Sequence, residues 1–91
     1  MLEHILKEAV RQNASDVHIK AGGVPVFRIN GVLNRQNLSA VSENAITSFI
    51  EQYGTCAVNE TEADFCCRID GAGSFRVHGY LQNGFPAIAV R

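Results

Sequence analysis

SFRVHGYLQNGFPAIAVR, residues 74–91, is the stretch whose reading decides the fold. Asn83-Gly84 lies between two runs of strand-forming residues, and this dipeptide is the strongest short-range hairpin signal because both central residues of a type I′ turn take positive φ. With those two residues in the turn, Gln82 pairs with Phe85. Counting back puts Gly79 opposite Ile88 and Val77 opposite Val90. One face then collects Phe75, Val77, Leu81, Ile88 and Val90, an apolar surface for helices to cover. The other collects Arg76, His78, Tyr80 and Gln82 with Ala87, Ala89 and Arg91, and the register sets Arg76 directly opposite Arg91.

Upstream, Phe65 to Ile69 reads as the preceding strand, with Asp70-Gly71-Ala72-Gly73 as its turn. Thr55 to Glu62 is polar and ambiguous, and Glu60 and Glu62 read as a solvated acidic loop. Ala45, Ile46, Phe49, Ile50 and Tyr53 form a helical stripe capped by Ser39 or Ser42 and ending at Gly54. A second hairpin signal, Asn30-Gly31, joins a strand at Val26 to Ile29 to its return at Val32 and Leu33. Val17 and Ile19 alternate with His18 and Lys20 as a strand before the Gly22-Gly23 break. The amino-terminal Leu2, Ile5, Leu6, Ala9 and Val10 fall at helical spacing, and Asn13 can end that helix. The order is helix, three strands, helix, three strands. It predicts an α/β (α+β) domain of two layers, with a mainly antiparallel sheet and the helices on one face, spanning residues 1–91 as a single domain.

Composition narrows the function classes. At 91 residues, 46% apolar and 19% charged, the chain can build one small core. A net charge of -1 provides no basic field for nucleic acid or an anionic membrane, and no apolar run is long enough for a bilayer span. A cytoplasmic protein is expected. Cys56, Cys66 and Cys67 are odd in number and lack a CxxC pattern, which fits reduced thiols; Cys66 and Cys67, being neighbours in a strand, face opposite sides. His4 and His78 have no metal-ligand spacing and read as surface residues, so no metal site is assigned. Asp16 and His18, two apart, share a strand face, where a hydrogen-bonded pair that fixes the helix-to-strand corner is the simpler reading than catalysis.

Two like charges opposed across a strand pair cost stability. Either Asp64 or another carboxylate sits between Arg76 and Arg91, or both side chains splay into water, or an anion from outside compensates them. Paired guanidiniums on a rigid hairpin suit phosphate, because each is a planar fork of donors with permanent charge. The chain has no GxxxxGK[ST] loop, and its only lysines, Lys7 and Lys20, follow no suitable glycine run. No catalytic residue and no cofactor is therefore assigned to the chain by itself.

Four blocks carry a family resemblance. ASDVHI, residues 14–19, is similar to the A-S-D-[LI]-H-[LI] signature of PilT/GspE-type motor ATPases, and PVFRINGVL, residues 25–33, to their P-x-x-R-[IV]-[DN]-G-x-L. Ala63-Asp64-Phe65 resembles their x-D-F-S-[YF], and Gly73 to His78 their G-R-F-R-V-N, with Ala89-Val90-Arg91 like a strand that ends in arginine. The resemblance implies the PAS-like amino-terminal domain of such an ATPase, with the P-loop domain absent from this chain and ATP and Mg belonging to the parent protein. It further implies a homo-hexamer in which this domain packs on the ATPase domain of the same and neighbouring subunits, held at the inner-membrane base of a pilus or secretion system without inserting into the membrane. Arg76 and Arg91 would then match arginines that reach toward bound ATP, and Arg28 a further family arginine, with Asp16 and His18 as a structural signature. His78 replaces the usual Asn or Ser, Ser74 a common Arg, and Cys66-Cys67 the usual Ser and aromatic, and the segment after Gly54 is shorter and less charged than usual. These departures leave pilus assembly, type II secretion and conjugative relatives open beside retraction, the first choice because the chain begins directly at this domain. The end at Val90-Arg91 inside a strand suggests a fragment. The competing expectation is a stand-alone PAS-like module that binds a ligand or dimerises.

Overall fold

Both Asn-Gly dipeptides turn as their chemistry dictates: Asn30 and Gly31 have φ of 51° and 80°, and Asn83 and Gly84 have 53° and 82°. The computed structural model describes residues 2–54 and 62–91. Its elements are α1 (Leu2–Arg11), β1 (Asp16–Lys20), β2 (Val26–Ile29), β3 (Val32–Arg35), α2 (Glu43–Tyr53), β4 (Glu62–Ile69), β5 (Gly73–Gln82) and β6 (Phe85–Val90). The strands form a single sheet in the order β3-β2-β1-β6-β5-β4 with every neighbouring pair antiparallel. This is a PAS-like two-layer α+β domain. The β5–β6 register is the one expected, Gln82 opposite Phe85, Gly79 opposite Ile88 and Val77 opposite Val90.

The two hairpin halves meet at β1 and β6, the central strands, where Val17 faces Val90 and Ile19 faces Ile88. These side chains point to the helical layer with Phe27 and Val77, and together with Leu2, Ile5, Leu6, Ala9, Ile46 and Phe49 they make one buried core. Ser42 is the cap of α2, its hydroxyl accepting from the Ala45 N–H at 3.1 Å. Gly54 ends that helix at an unstrained φ of -98°, and the reason for glycine is space: a Cβ there would lie 3.0 Å from the Phe65 ring and 2.7 Å from the Ile50 carbonyl oxygen. The two helices are also tied to each other by the Tyr53 hydroxyl donating to Glu3 at 2.9 Å.

Three expectations are corrected. Val10 is 45% exposed, because it sits about 100° around the helix from Ala9 and falls off the stripe. Leu81 is 49% exposed, since it lies opposite Pro86 at the outer end of the hairpin, beyond the cover of the helices. Glu62 opens β4 opposite Tyr80 instead of lying in a loop; Cys56, Glu60 and most of the ambiguous segment lie outside the described residues. Cys66 and Cys67 do face opposite sides, one exposed and one buried, both as free thiols, and burial pushes the Cys67 thiol up.

On α1, Glu8 bonds Arg11 and Gln12 one turn ahead, and these two donors, Arg11 first, hold its carboxyl well below the ordinary 4.5, at about 2. A carboxylate whose value is depressed by folding stabilises fully above its unfolded value, and the contribution disappears as pH falls through the folded one. Stability should therefore decline between about pH 4.5 and 2, and Glu8→Gln should flatten that decline in urea titrations run across this range. In the core, Phe27→Ala should cost about 3–5 kcal/mol at neutral pH, because Phe27 is fully buried. Val32→Ala, on a residue 61% exposed, should shift the urea midpoint little.

Candidate functional site

The face of the sheet away from the helices carries the polar residues, and its rows follow from strand register. Arg28 on β2 lies opposite Asp16 on β1. Continuing the β1–β6 register past Val17 and Val90 brings Arg91 beside Asp16. Arg91 and Arg76 then exchange both backbone hydrogen bonds, at 2.8 and 3.0 Å, so they are the hydrogen-bonded type of antiparallel pair. Arg28, Asp16, Arg91 and Arg76 thus form one row across four strands.

The row is compensated at one end only. Arg28 Nε donates to Asp16 Oδ2 at 2.9 Å, and Arg28 Nη1 to the Gly31 carbonyl at 3.3 Å. Arg91 Nε lies 3.7 Å from Asp16 Oδ1. The Asp16 side chain, 22% exposed, is therefore held between two guanidiniums, whereas Arg91 is 82% exposed. Arg76 is exposed and has no carboxylate partner among the described residues. Three arginines against one carboxylate leave the row cationic at its β5–β6 end.

The compensating carboxylate is thus Asp16, while Asp64 is engaged elsewhere. Asp64 lies opposite His78, with Asp64 Oδ1 3.1 Å from His78 Nδ1, and Glu62 Oε1 lies 3.6 Å from His78 Nε2. The His78 ring stacks on Tyr80 with centroids 5.5 Å apart. Nor does Asp16 pair with His18: they share a face, but the arginines across the strand outbid the neighbour two residues along. His18 instead lines a groove of about 330 Å³ with Lys20, Val26, Arg28, Leu33 and Tyr80. That lining combines the apolar Val26 and Leu33 with the cationic Lys20 and Arg28. Among the described residues no group of three or more His, Cys, Asp or Glu side chains is arranged to hold a metal, and no helix is long and apolar enough to cross a membrane.

Asp16 as the clamp is the part of the site that sequence reasoning missed. The signal was present as an acid and a base on consecutive strands, but the five residues that join β1 to β2 leave the register open where an Asn-Gly turn would fix it.

None of the known protein-family profiles matches the chain. It is 28% identical over 87 residues to the type IV pilus retractation ATPase PilT of Pseudomonas aeruginosa, an alignment covering 90% of this chain and 25% of that protein. Its fold superimposes on the crystal structure of the pilus retraction motor PilT with bound ADP with a TM-score of 0.79 at 27% identity, over 99% of this chain and 28% of that one. The Legionella pneumophila ATPase DotB shares the fold with a TM-score of 0.74 at 23% identity, over 99% of this chain and 27% of DotB. The chain spans about a quarter of the length of the relatives it matches.

The clamp generates a prediction. Asp16→Asn should lower stability by about 1 kcal/mol at low ionic strength, by leaving Arg28, Arg91 and Arg76 facing one another uncompensated. The deficit should shrink in about 1 M salt, where the screening length falls to about 3 Å. Urea midpoints at the two salt concentrations check it.

Proposed function

From homology to the amino-terminal region of PilT, we propose that the chain is the amino-terminal domain of a PilT-like hexameric motor ATPase that powers type IV pilus retraction. The domain packs on a neighbouring subunit's ATPase domain and presents Arg76 and Arg91 toward ATP bound with Mg at the subunit border. Arg28 completes the row, and Asp16 holds it in register. The motor works in the cytoplasm, at the inner-membrane base of the pilus, through partners rather than by insertion.

The observation that supports this reading best is the direct opposition of Arg76 and Arg91 on a hairpin, with Asp16 able to balance only part of the row. Isolated, the arrangement is a net cost; beside a polyphosphate it becomes a receptor, because the two arginines are already paired across the hairpin and stay charged. Charge development on the transferred phosphoryl group is the step such a receptor would favour. Pilus retraction specifically draws on the PilT likeness, and hydrolysis itself is assigned to the P-loop domain of the parent protein.

In the complete ATPase, Arg76→Ala or Arg91→Ala should lower steady-state ATP turnover by about tenfold or more while moving the melting temperature of this domain little, since both side chains are exposed. Phosphate-release assays on the hexamer check it; turnover equal to the wild type in both variants would contradict the arginine role.

A further inference from the structure

Strand β4 ends the sheet, and among the described residues no strand lies along its other side. Which of its backbone groups are free follows from the ladder. Arg76 and Arg91 form a doubly hydrogen-bonded pair, so even-numbered residues of β5 bond toward β6 and odd-numbered ones toward β4. Their β4 partners are Ala63, Phe65, Cys67 and Ile69. The N–H and C=O groups of Asp64, Cys66 and Arg68 therefore point to the open edge, and these three residues are exposed.

Edges of this length are usually blunted by proline, lysine or a bulge. β4 has no proline or lysine, and it pairs with β5 residue by residue over its whole length, without a bulge. Its charges are instead polar along the strand: Glu62 and Asp64 at the start, Arg68 near the end. Such a strand is complementary to itself when reversed.

We propose that the β4 edge pairs antiparallel with the β4 edge of a second copy of this chain, about a two-fold axis at Cys66. In that register Asp64 of each copy faces Arg68 of the other, and Cys66 faces Cys66. On the helical side Phe65 faces Cys67 and Ala63 faces Ile69, so apolar residues meet apolar ones. A slip by one residue would set exposed side chains against buried ones, so this alternation excludes it. Asp64, at 62% exposure, can turn from His78 to the arginine of the second copy. The open N–H and C=O groups on both edges would satisfy one another.

The contact is isologous, and an isologous contact cannot be the head-to-tail contact that closes a ring. It is therefore a different contact from the one used in the motor reading, and either can fail without the other.

Charge reversal on the 91-residue chain tests the pairing, read by sedimentation velocity from micromolar to millimolar concentration, with circular dichroism to follow the fold. The wild type should self-associate to a dimer. Asp64→Arg or Arg68→Asp should each weaken the dimer about tenfold, because either change sets like charges opposite each other twice. The double variant Asp64→Arg with Arg68→Asp should regain wild-type dimerisation. A wild type that stays monomeric to millimolar concentration, a dimer indifferent to either reversal, or a double variant that does not recover would each overturn the proposal.

Discussion

The Asn83-Gly84 turn fixes the β5–β6 register, and nearly everything of interest in the domain follows from that register. The same pairing that lines up Val77 with Val90 and Gly79 with Ile88 under the helices must line up Arg76 with Arg91 on the opposite face. Side chains alternate across a strand with a period of two, so the core and the cationic row are two consequences of one constraint. Shifting the register by one residue to separate the arginines would expose the buried Val77, Ile88 and Val90.

Hydrophobic packing therefore supplies the free energy that holds the arginines together. Asp16 offsets part of the repulsion by bridging Arg28 and Arg91, and it can do so because β1 is the central strand between β2 and β6. Its reach ends at Arg91, one strand short of Arg76. The residual charge sits at the end of a rigid hairpin, where aligning it with an incoming anion would require little further ordering.

How much of this was legible in the sequence depended on whether local chemistry fixed the geometry. Asn30-Gly31 and Asn83-Gly84 specify their turns, so both hairpins and the Arg76–Arg91 opposition could be read directly. The stripes of α1 and α2 were also clear, apart from Val10, whose position on the helix circumference carries it past the core. The order of the strands and the meeting of β1 with β6 are non-local, and no turn encodes them. For that reason the clamp by Asp16 could not be seen, and Asp64, closer to the arginines in sequence, looked the better candidate. Leu81 misled because alternation gives a side chain its face and says nothing about how far the helices extend over it.

The most direct test of the central claim is a structure of the motor ATPase proposed to contain this domain, with a nucleoside triphosphate analogue and Mg bound. The account predicts the guanidinium of Arg76 or Arg91 within about 3 Å of a phosphate oxygen at a subunit border, with Asp16 still bridging Arg28 and Arg91. A row that faces solvent in the nucleotide-bound state, with neither arginine near phosphate, would contradict it.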